Sequence, residues 1–239
     1  MARKKIVFVI VEGESEAEAF DRVLSRLYDK NEVYFHIVHG DVTSDRDTFP
    51  ENIVSRLSDM VKSYANANHF RPLHFQEVIH LIDMDGAYIP DTSIVYDEAA
   101  EKPYYTETEI RTARPDGISV RNRKKRENID RICSLSAVWK TIPYRAYYMS
   151  SSLDHVLYNK LNSTDQEKER DAHAFGQQYG SSPWEFVKFI RNSDFSVCGD
   201  FKKSWEYIKA DGHSLQRHTN LGICFQASIV DTESGKPSS

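Results

Sequence analysis

In the first third of the chain, hydrophobic runs typical of strands take turns with hydrophobic residues at helical spacing. Positions 6–11 are continuously apolar and rich in β-branched residues, which predicts a parallel strand buried on both faces. Apolar residues then recur at helical spacing over 20–27 and 53–64, whereas 33–38 and 77–82 have the composition of strands. The order strand, helix, strand, helix, strand predicts an α/β sheet with right-handed crossover connections.

Two short patterns predict where these helices begin. Ser15 is followed three residues later by Glu18, and Thr48 by Glu51, and each pair has the spacing of a capping box. We therefore expect the Ser15 and Thr48 hydroxyls to accept hydrogen bonds from the first backbone N–H groups of their helices.

The alternation breaks between residues 87 and 128, where no clear period is found. This predicts an inserted loop or flap, and its charge is polarised. Residues 83–109 carry eight acidic residues and one basic residue, whereas 111–131 carry eight basic and three acidic.

The alternation of helix and strand then resumes. A strand is predicted at 144–149, followed by helices near 165–179, 184–190 and 201–208. The chain is therefore expected to have three parts: an α/β domain over 1–160 that contains the insertion, a helical C-terminal extension over 161–230, and a polar tail over 231–239 that frays.

Composition and charge narrow the function classes. The 239 residues carry 31 Lys plus Arg against 36 Asp plus Glu, so the net charge of −5 does not by itself favour nucleic-acid binding. No apolar run reaches the roughly 18 residues of a transmembrane helix, and the apolar stretch near the start is too short for a signal peptide. The three cysteines are odd in number and far apart, which argues against a disulfide framework or a zinc knuckle. We expect a reduced, cytoplasmic protein without a membrane segment.

Two acidic clusters follow predicted strands. Glu12, Glu14 and Glu16 come after the first strand, and Asp83 and Asp85 come after the third. The carboxyl ends of parallel strands meet at the sheet edge where ligands bind, and residues two apart in an extended backbone point the same way. Carboxylate oxygens suit hard cations, so the pattern favours Mg²⁺ or Mn²⁺ over zinc.

Each cluster also has a structural explanation when it is taken alone. The helix dipole favours acidic residues near a helix N-terminus, and Asp-x-Asp-Gly is a common turn. Taken together, however, two acidic strand ends in one sheet repel each other unless a cation or a proton lies between them. The combination therefore favours a metal site.

The segments Val11-Glu12-Gly13-Glu14-Ser15-Glu16 and Leu81-Ile82-Asp83-Met84-Asp85 together resemble the TOPRIM domain. That domain occurs in topoisomerases, bacterial primases, recombination proteins, small ribonucleases and OLD-type nucleases. Its members have a glutamate after the first strand and an Asp-x-Asp after the third, which jointly hold Mg²⁺. The resemblance covers about residues 5–160 and implies this role for Glu12, Asp83 and Asp85.

The Glu-Gly-x-Ser-Glu form resembles the OLD-type, phage-defence branch in particular. This resemblance implies a metal role for Glu16 as well, and for a further acid after a later strand, where Asp154 is the nearest candidate. It implies a Mg²⁺- or Mn²⁺-dependent nuclease acting on DNA or RNA, tRNA included, as the toxic effector of an anti-phage system. The chain has no Gly-x-x-x-x-Gly-Lys-Ser/Thr motif, so the ABC or OLD-type ATPase that such systems use would be a separate subunit.

Basic residues are candidates for substrate binding. Lys160, about two helical turns after Asp154, is either a surface lysine or a group that reaches the phosphate. The most basic run either offsets the acidic site for a polyanion or forms a solvated helix start; its bases are Arg121, Arg123, Lys124, Lys125 and Arg126. The alternative to an enzyme is a non-catalytic, metal-dependent nucleic-acid-binding or regulatory subunit.

Overall fold

The computed structural model describes residues 5–28 and 31–225; the predicted tail at 231–239 and the last five residues of the predicted extension lie outside them. The strands are β1 (Ile6–Val11), β2 (Glu32–Ile37), β3 (Phe75–Asp83), β4 (Ile94–Tyr96), β5 (Tyr104–Tyr105), β6 (Ile110–Thr112), β7 (Ala137–Val138) and β8 (Ile142–Met149). The helices are α1 (Glu14–Leu27), α2 (Ile53–Ala67), α3 (Pro115–Ile132), α4 (Leu153–Tyr158), α5 (Asp165–Gly180), α6 (Pro183–Asn192) and α7 (Phe201–Lys209). Short 3-10 helices lie at Pro72–His74, Asp91–Ser93 and Leu221–Phe225.

The central sheet has the strand order β2-β1-β3-β8-β7. The four strands from β2 to β8 are parallel to their neighbours, and β7 pairs antiparallel with β8 at the edge. Helices flank both faces. The prediction of an α/β fold with a mostly parallel sheet is therefore confirmed.

Strand β1 is buried on both faces, as its unbroken apolar sequence requires. Val7, Val9 and Val11 belong to the core that the sheet forms with α1, α5 and α6. Ile6, Phe8 and Ile10 belong to the opposite core, which the sheet forms with α2, α3 and α7. The sheet is thus covered by helices on both faces.

The strand order creates a switch point at the carboxyl ends of β1 and β3. From β1 the chain crosses through α1 to β2 on one side, and from β3 it proceeds to β8 on the other. In open α/β sheets, ligands bind in the crevice that forms where the crossover direction reverses. Glu12 and Asp83 stand at this crevice.

The predicted loop over 87–128 is wrong for its last third, because residues 115–128 form most of α3. The inner face of this helix carries Asn122, Lys125 and Asn128 between Ile118 and Ile129, so a polar stripe is buried where a helix normally presents apolar residues. Because polar residues occupy these buried positions, the sequence shows no apolar residues at helical spacing here. The part of the insertion before α3 contains a small sheet in the order β4-β6-β5.

Neither predicted capping box forms. Helix α1 begins after Gly13 without a side-chain cap, and the Ser15 hydroxyl donates instead to Glu16 Oε2 at 3.4 Å. Helix α2 begins at Ile53, and Thr48 donates to Asp45. By contrast, Ser152 caps α4 by accepting a hydrogen bond from the backbone N–H of His155.

Helices α5, α6 and α7 of the predicted extension pack directly on the central sheet and its helices. Phe20 of α1, Phe175 of α5 and Phe186 of α6 form one aromatic cluster with ring centroids 5.8–6.3 Å apart. Among the described residues, no helix has the length and apolar character to cross a bilayer.

Candidate metal and phosphate site

Glu12 and Asp83 are neighbours at the switch point because β1 and β3 are adjacent parallel strands. Asp83 is the last residue of β3, and Glu12 directly follows β1. The backbone N–H of Asp83 donates to Glu12 Oε1 at 3.3 Å. Two of the three acids of the predicted metal core, Glu12 and Asp83, are therefore in direct contact.

A cavity of about 420 Å³ opens at this edge of the sheet. Four of the predicted acids line it: Glu12, Asp83, Asp85 and Asp154. Ser151 and Ser152, from the turn after β8, complete the wall next to Asp154. The structure thus brings residues from three separate strand ends to one cavity.

Asp85 does not continue the extended backbone of β3, which corrects one step of the sequence reasoning. Its φ is +47° and that of Gly86 is +67°, so the chain turns sharply after Asp83. Backbone hydrogen bonds fix this turn, because Asp85 N–H donates to Ser151 O and Gly86 N–H donates to Ser214 O. Asp83 and Asp85 both line the cavity, but Asp85 does so from the turn and not from the strand.

Lys125 lies inside the acidic cluster, not on the surface as predicted for a phosphate-binding residue. Its side chain is fully buried, and its ammonium lies 2.7 Å from Asp41 Oδ2 and 2.5 Å from Asp85 Oδ2. The buried stripe of α3 carries it there. Asp41, which follows β2, was missed; its signal was its position after the strand neighbouring β1.

Burial and mutual repulsion shape the charges of the cluster. Burial raises the pKa of Glu12 well above its ordinary value, with repulsion from Asp41 adding to the shift and Lys125 opposing it. Burial and repulsion from Glu12 raise the pKa of Asp83 in the same way. Although burial opposes it, Lys125 lowers the pKa of Asp41 to about 2. Negative charge is thus compensated at Asp41 and crowded at Glu12 and Asp83.

Asp154 is the third carboxylate of the cavity whose pKa is raised. Burial raises its pKa to about 6, repulsion from Glu16 adds to this, and the nearby ammonium of Lys168 opposes it. Lys168 Nζ lies 3.9 Å from Asp154 Oδ2 and belongs to the cavity wall, although sequence reasoning did not select it. Glu16 acts on Asp83 and Asp154 through its charge and does not line the cavity.

The donor set fits a hard divalent cation, although it does not form a closed cage. Across the described residues, no three acidic, histidine or cysteine side chains come together as a preformed metal site. Mg²⁺ seldom needs one, because it keeps several waters and binds through one or two carboxylates together with substrate phosphates. Glu12 and Asp83 supply crowded carboxylate oxygens of this kind.

The remaining predicted basic residues are spread over several contacts. Lys160 pairs with Asp171 at 2.5 Å and does not line the acidic cavity. Within the 121–126 run, Arg123 is exposed, whereas Arg121, Lys124 and Arg126 donate to backbone oxygens of Asp85, Arg46 and Ala87, respectively. The run is therefore not one basic surface, since most of its bases hold the protein's own loops.

The cavity has a second wall that the sequence did not suggest, formed by residues 102–105 and 161–163. Asn162 holds the two segments together, because its side chain accepts from Tyr105 N–H and donates to Tyr105 O, both at 2.8 Å. The guanidinium of Arg121 donates to the Tyr105 hydroxyl at 2.6 Å and to Asp85 O at 2.8 Å. The insertion is thereby fastened to the acidic side of the cavity.

Comparisons with known proteins find no match: neither a protein-family model nor a curated protein nor a solved structure is significantly similar to this chain.

Proposed function

We propose that this protein is a Mg²⁺- or Mn²⁺-dependent nuclease that hydrolyses phosphodiester bonds of DNA or RNA in a TOPRIM-like site. One observation carries the proposal: Glu12, Asp83, Asp85 and Asp154 reach the same cavity from three strand ends. The order and spacing of the Glu12 and Asp83-x-Asp85 motifs, which resemble the TOPRIM family, support it independently.

The chain's own residues have distinct roles in this proposal. Glu12 and Asp83 would hold the ion, which supplies Lewis-acid polarisation of the phosphate and activation of water. The ammonium of Lys125 balances the negative charges of Asp41 and Asp85, so that several carboxylates can lie close together. Asp154, with a pKa of about 6, is able to exchange a proton near neutral pH.

A non-catalytic, metal-dependent nucleic-acid-binding or regulatory subunit is the second candidate. The position of Lys125 favours it, since a buried ammonium already occupies the space between two of the acids. In that case the cavity would bind nucleic acid without hydrolysing it.

A cleavage survey tests the proposal. Purified protein is incubated with labelled DNA and total RNA in Mg²⁺, Mn²⁺ or EDTA, with and without any ATPase that co-purifies. We expect products only with an ion present. We expect Glu12→Gln to slow cleavage more than roughly a hundredfold, because losing a residue that contacts a metal only indirectly already reduces activity by up to that factor. Asp116→Asn, which removes an exposed acid of α3, serves as the control and keeps full activity. Absence of products under every condition would contradict the nuclease.

The resemblance to the phage-defence branch supports a wider proposal. We infer that the nuclease is the toxic effector of an anti-phage system and works with a separate ABC or OLD-type ATPase. Co-purification of an ATPase with the tagged protein from its native host, and loss of phage protection in Asp83→Asn, are the expected results.

A further inference from the structure

The wall formed by residues 102–105, which we call the rim segment, places an aromatic ring beside the acidic cluster. Tyr104 lines the cavity, yet 53% of its surface is exposed to solvent. The ring of an exposed tyrosine in a cavity wall is accessible to a ligand. Nucleic-acid bases stack on such rings in a largely sequence-independent way.

The rim segment is held in place and does not form a loose flap. Its Tyr105 is bound to Asn162 through two backbone hydrogen bonds and to Arg121 through its hydroxyl. Arg121 in turn holds Asp85 O at the acidic side. The backbone position of Tyr104 relative to the acidic cluster is therefore set by the fold.

The size of the cavity limits what can reach the carboxylates. Its volume of about 420 Å³ lies near the lower end of the roughly 300–1,000 Å³ of small-molecule pockets, which is room for a group about the size of one nucleotide. A duplex would bring its second strand with it, and its paired, stacked bases offer no free face to Tyr104. Lys102 and Lys168 also line the cavity, and they supply positive charge for the neighbouring phosphates of one strand.

We propose that the cavity takes an unpaired strand of nucleic acid, with a base stacked on Tyr104 next to the phosphate that faces Glu12 and Asp83. This inference rests on the proposed function, because it names the substrate class of the same site. It makes Tyr104 a binding residue that selects single-stranded over double-stranded substrate.

Binding measurements test the substrate class separately from cleavage. Fluorescein-labelled DNA and RNA oligonucleotides, each single-stranded or annealed to its complement, are titrated with the full chain and followed by fluorescence anisotropy. Ca²⁺ is present as an oxygen-binding ion. We expect the single strands to bind at least about tenfold more tightly than the duplexes, and Tyr104→Ala to weaken single-strand binding by about fivefold to about 150-fold, the range for loss of one stacked base.

Two further variants make the result specific to the ring. Tyr104→Phe keeps the aromatic face and is expected to bind like the wild type. Tyr96→Ala removes the exposed tyrosine of β4, 63% exposed and outside the cavity wall, and is expected to change nothing. Thermal unfolding of each variant shows whether it is folded.

The outcomes separate this inference from the proposed function. Equal or tighter binding of duplexes, unchanged binding by Tyr104→Ala, or no binding of any oligonucleotide would overturn the single-strand inference, whether or not cleavage occurs. Single-strand binding that depends on Tyr104, without cleavage in Mg²⁺ or Mn²⁺, would support the inference and contradict the nuclease.

Discussion

Lys125 is the residue on which the charge balance of the cavity most depends. Its ammonium contacts Asp41 and Asp85, and none of its side chain is exposed. Burying a charge is costly unless partners compensate it, and removing one partner leaves the others uncompensated. The ion pairs of Lys125 are therefore needed to keep several carboxylates close together at one edge of the sheet.

The first prediction concerns the loss of this charge. Lys125→Met keeps much of the side-chain length but leaves Asp41 and Asp85 unpaired, so we expect the free energy of unfolding to fall by roughly 3–5 kcal/mol. Urea denaturation at pH 7 measures it. Lys124→Met is the matched control, since the ammonium of this partly exposed lysine contacts a backbone oxygen and the Phe49 ring but no carboxylate, and it should cost less than about 1 kcal/mol. Equal stability of the two variants would contradict the role given to Lys125.

The second prediction concerns pH. The pKa of Asp83 is raised in the folded protein, so its contribution to stability is greatest below its unfolded pKa and is lost as pH rises through the folded pKa. Asp83→Asn removes this loss. Without metal, we expect the melting temperature of the variant to exceed that of the wild type at pH 8, by roughly 2–4 °C for each kcal/mol of difference in stability. We expect this difference in melting temperature to shrink towards pH 5. A difference that is independent of pH, measured by thermal unfolding in EDTA, would contradict the crowding of Asp83.

Helices α1 and α5 show how closely the elements around the site are packed. Gly176 of α5 lies against the backbone of α1, where a Cβ atom would come within 3.0 Å of Glu18 O. Helix α1 starts two residues after Glu12, so the position of the helix affects the position of Glu12. Close packing at Gly176 therefore supports the site from outside the cavity.

The third prediction tests this contact. Gly176→Ala forces the two helices apart, and we expect it to destabilise the fold by roughly 1–3 kcal/mol, although alanine in a helix interior is usually favoured over glycine by about 1 kcal/mol. Gly117→Ala in α3 is the control, because its nearest neighbour would be Arg114 Cβ at 3.8 Å. We expect that variant to be as stable as the wild type or more so in urea denaturation. Stabilisation by Gly176→Ala would show that the helices are not in close contact.

The elements also show which features the sequence could predict. Strand β1 and the neighbouring positions of Glu12 and Asp83 were predictable, because apolar runs and parallel strand ends follow local rules. Most of helix α3 was not, since its buried face before Ile129 is largely polar and its partners, such as Asp41, lie far away in sequence. Lys125 lies on the buried face of that helix, so a basic run that was expected at the surface lies partly in the interior of the protein.

At the scale of the whole molecule, a net charge of −5 must be reconciled with the polyanionic substrate that we propose. Most bases of the 121–126 run hold internal contacts, whereas Lys102 and Lys168 line the cavity. We therefore expect substrate binding to depend on a few local phosphate contacts and only weakly on salt.

The fourth prediction gives this expectation a number. The double variant Lys102→Gln, Lys168→Gln should reduce the slope of log affinity against log salt by about 1.4, at about 0.7 per contact on a single strand. Lys188→Gln on α6, whose side chain is 66% exposed and outside the cavity wall, should leave the slope unchanged. An unaltered slope in the double variant would show that these lysines do not contact phosphates.

The most direct test of the proposed metal-dependent nuclease activity compares cleavage and binding in Asp83→Asn. Labelled single-stranded oligonucleotide is titrated for anisotropy and then assayed for cleavage in Mn²⁺, with Asp116→Asn as the control. The predicted result is cleavage reduced more than roughly a hundredfold in Asp83→Asn, with binding and folding retained. Full cleavage by Asp83→Asn, or absence of cleavage by wild type and variant alike while both bind, would contradict the catalytic assignment.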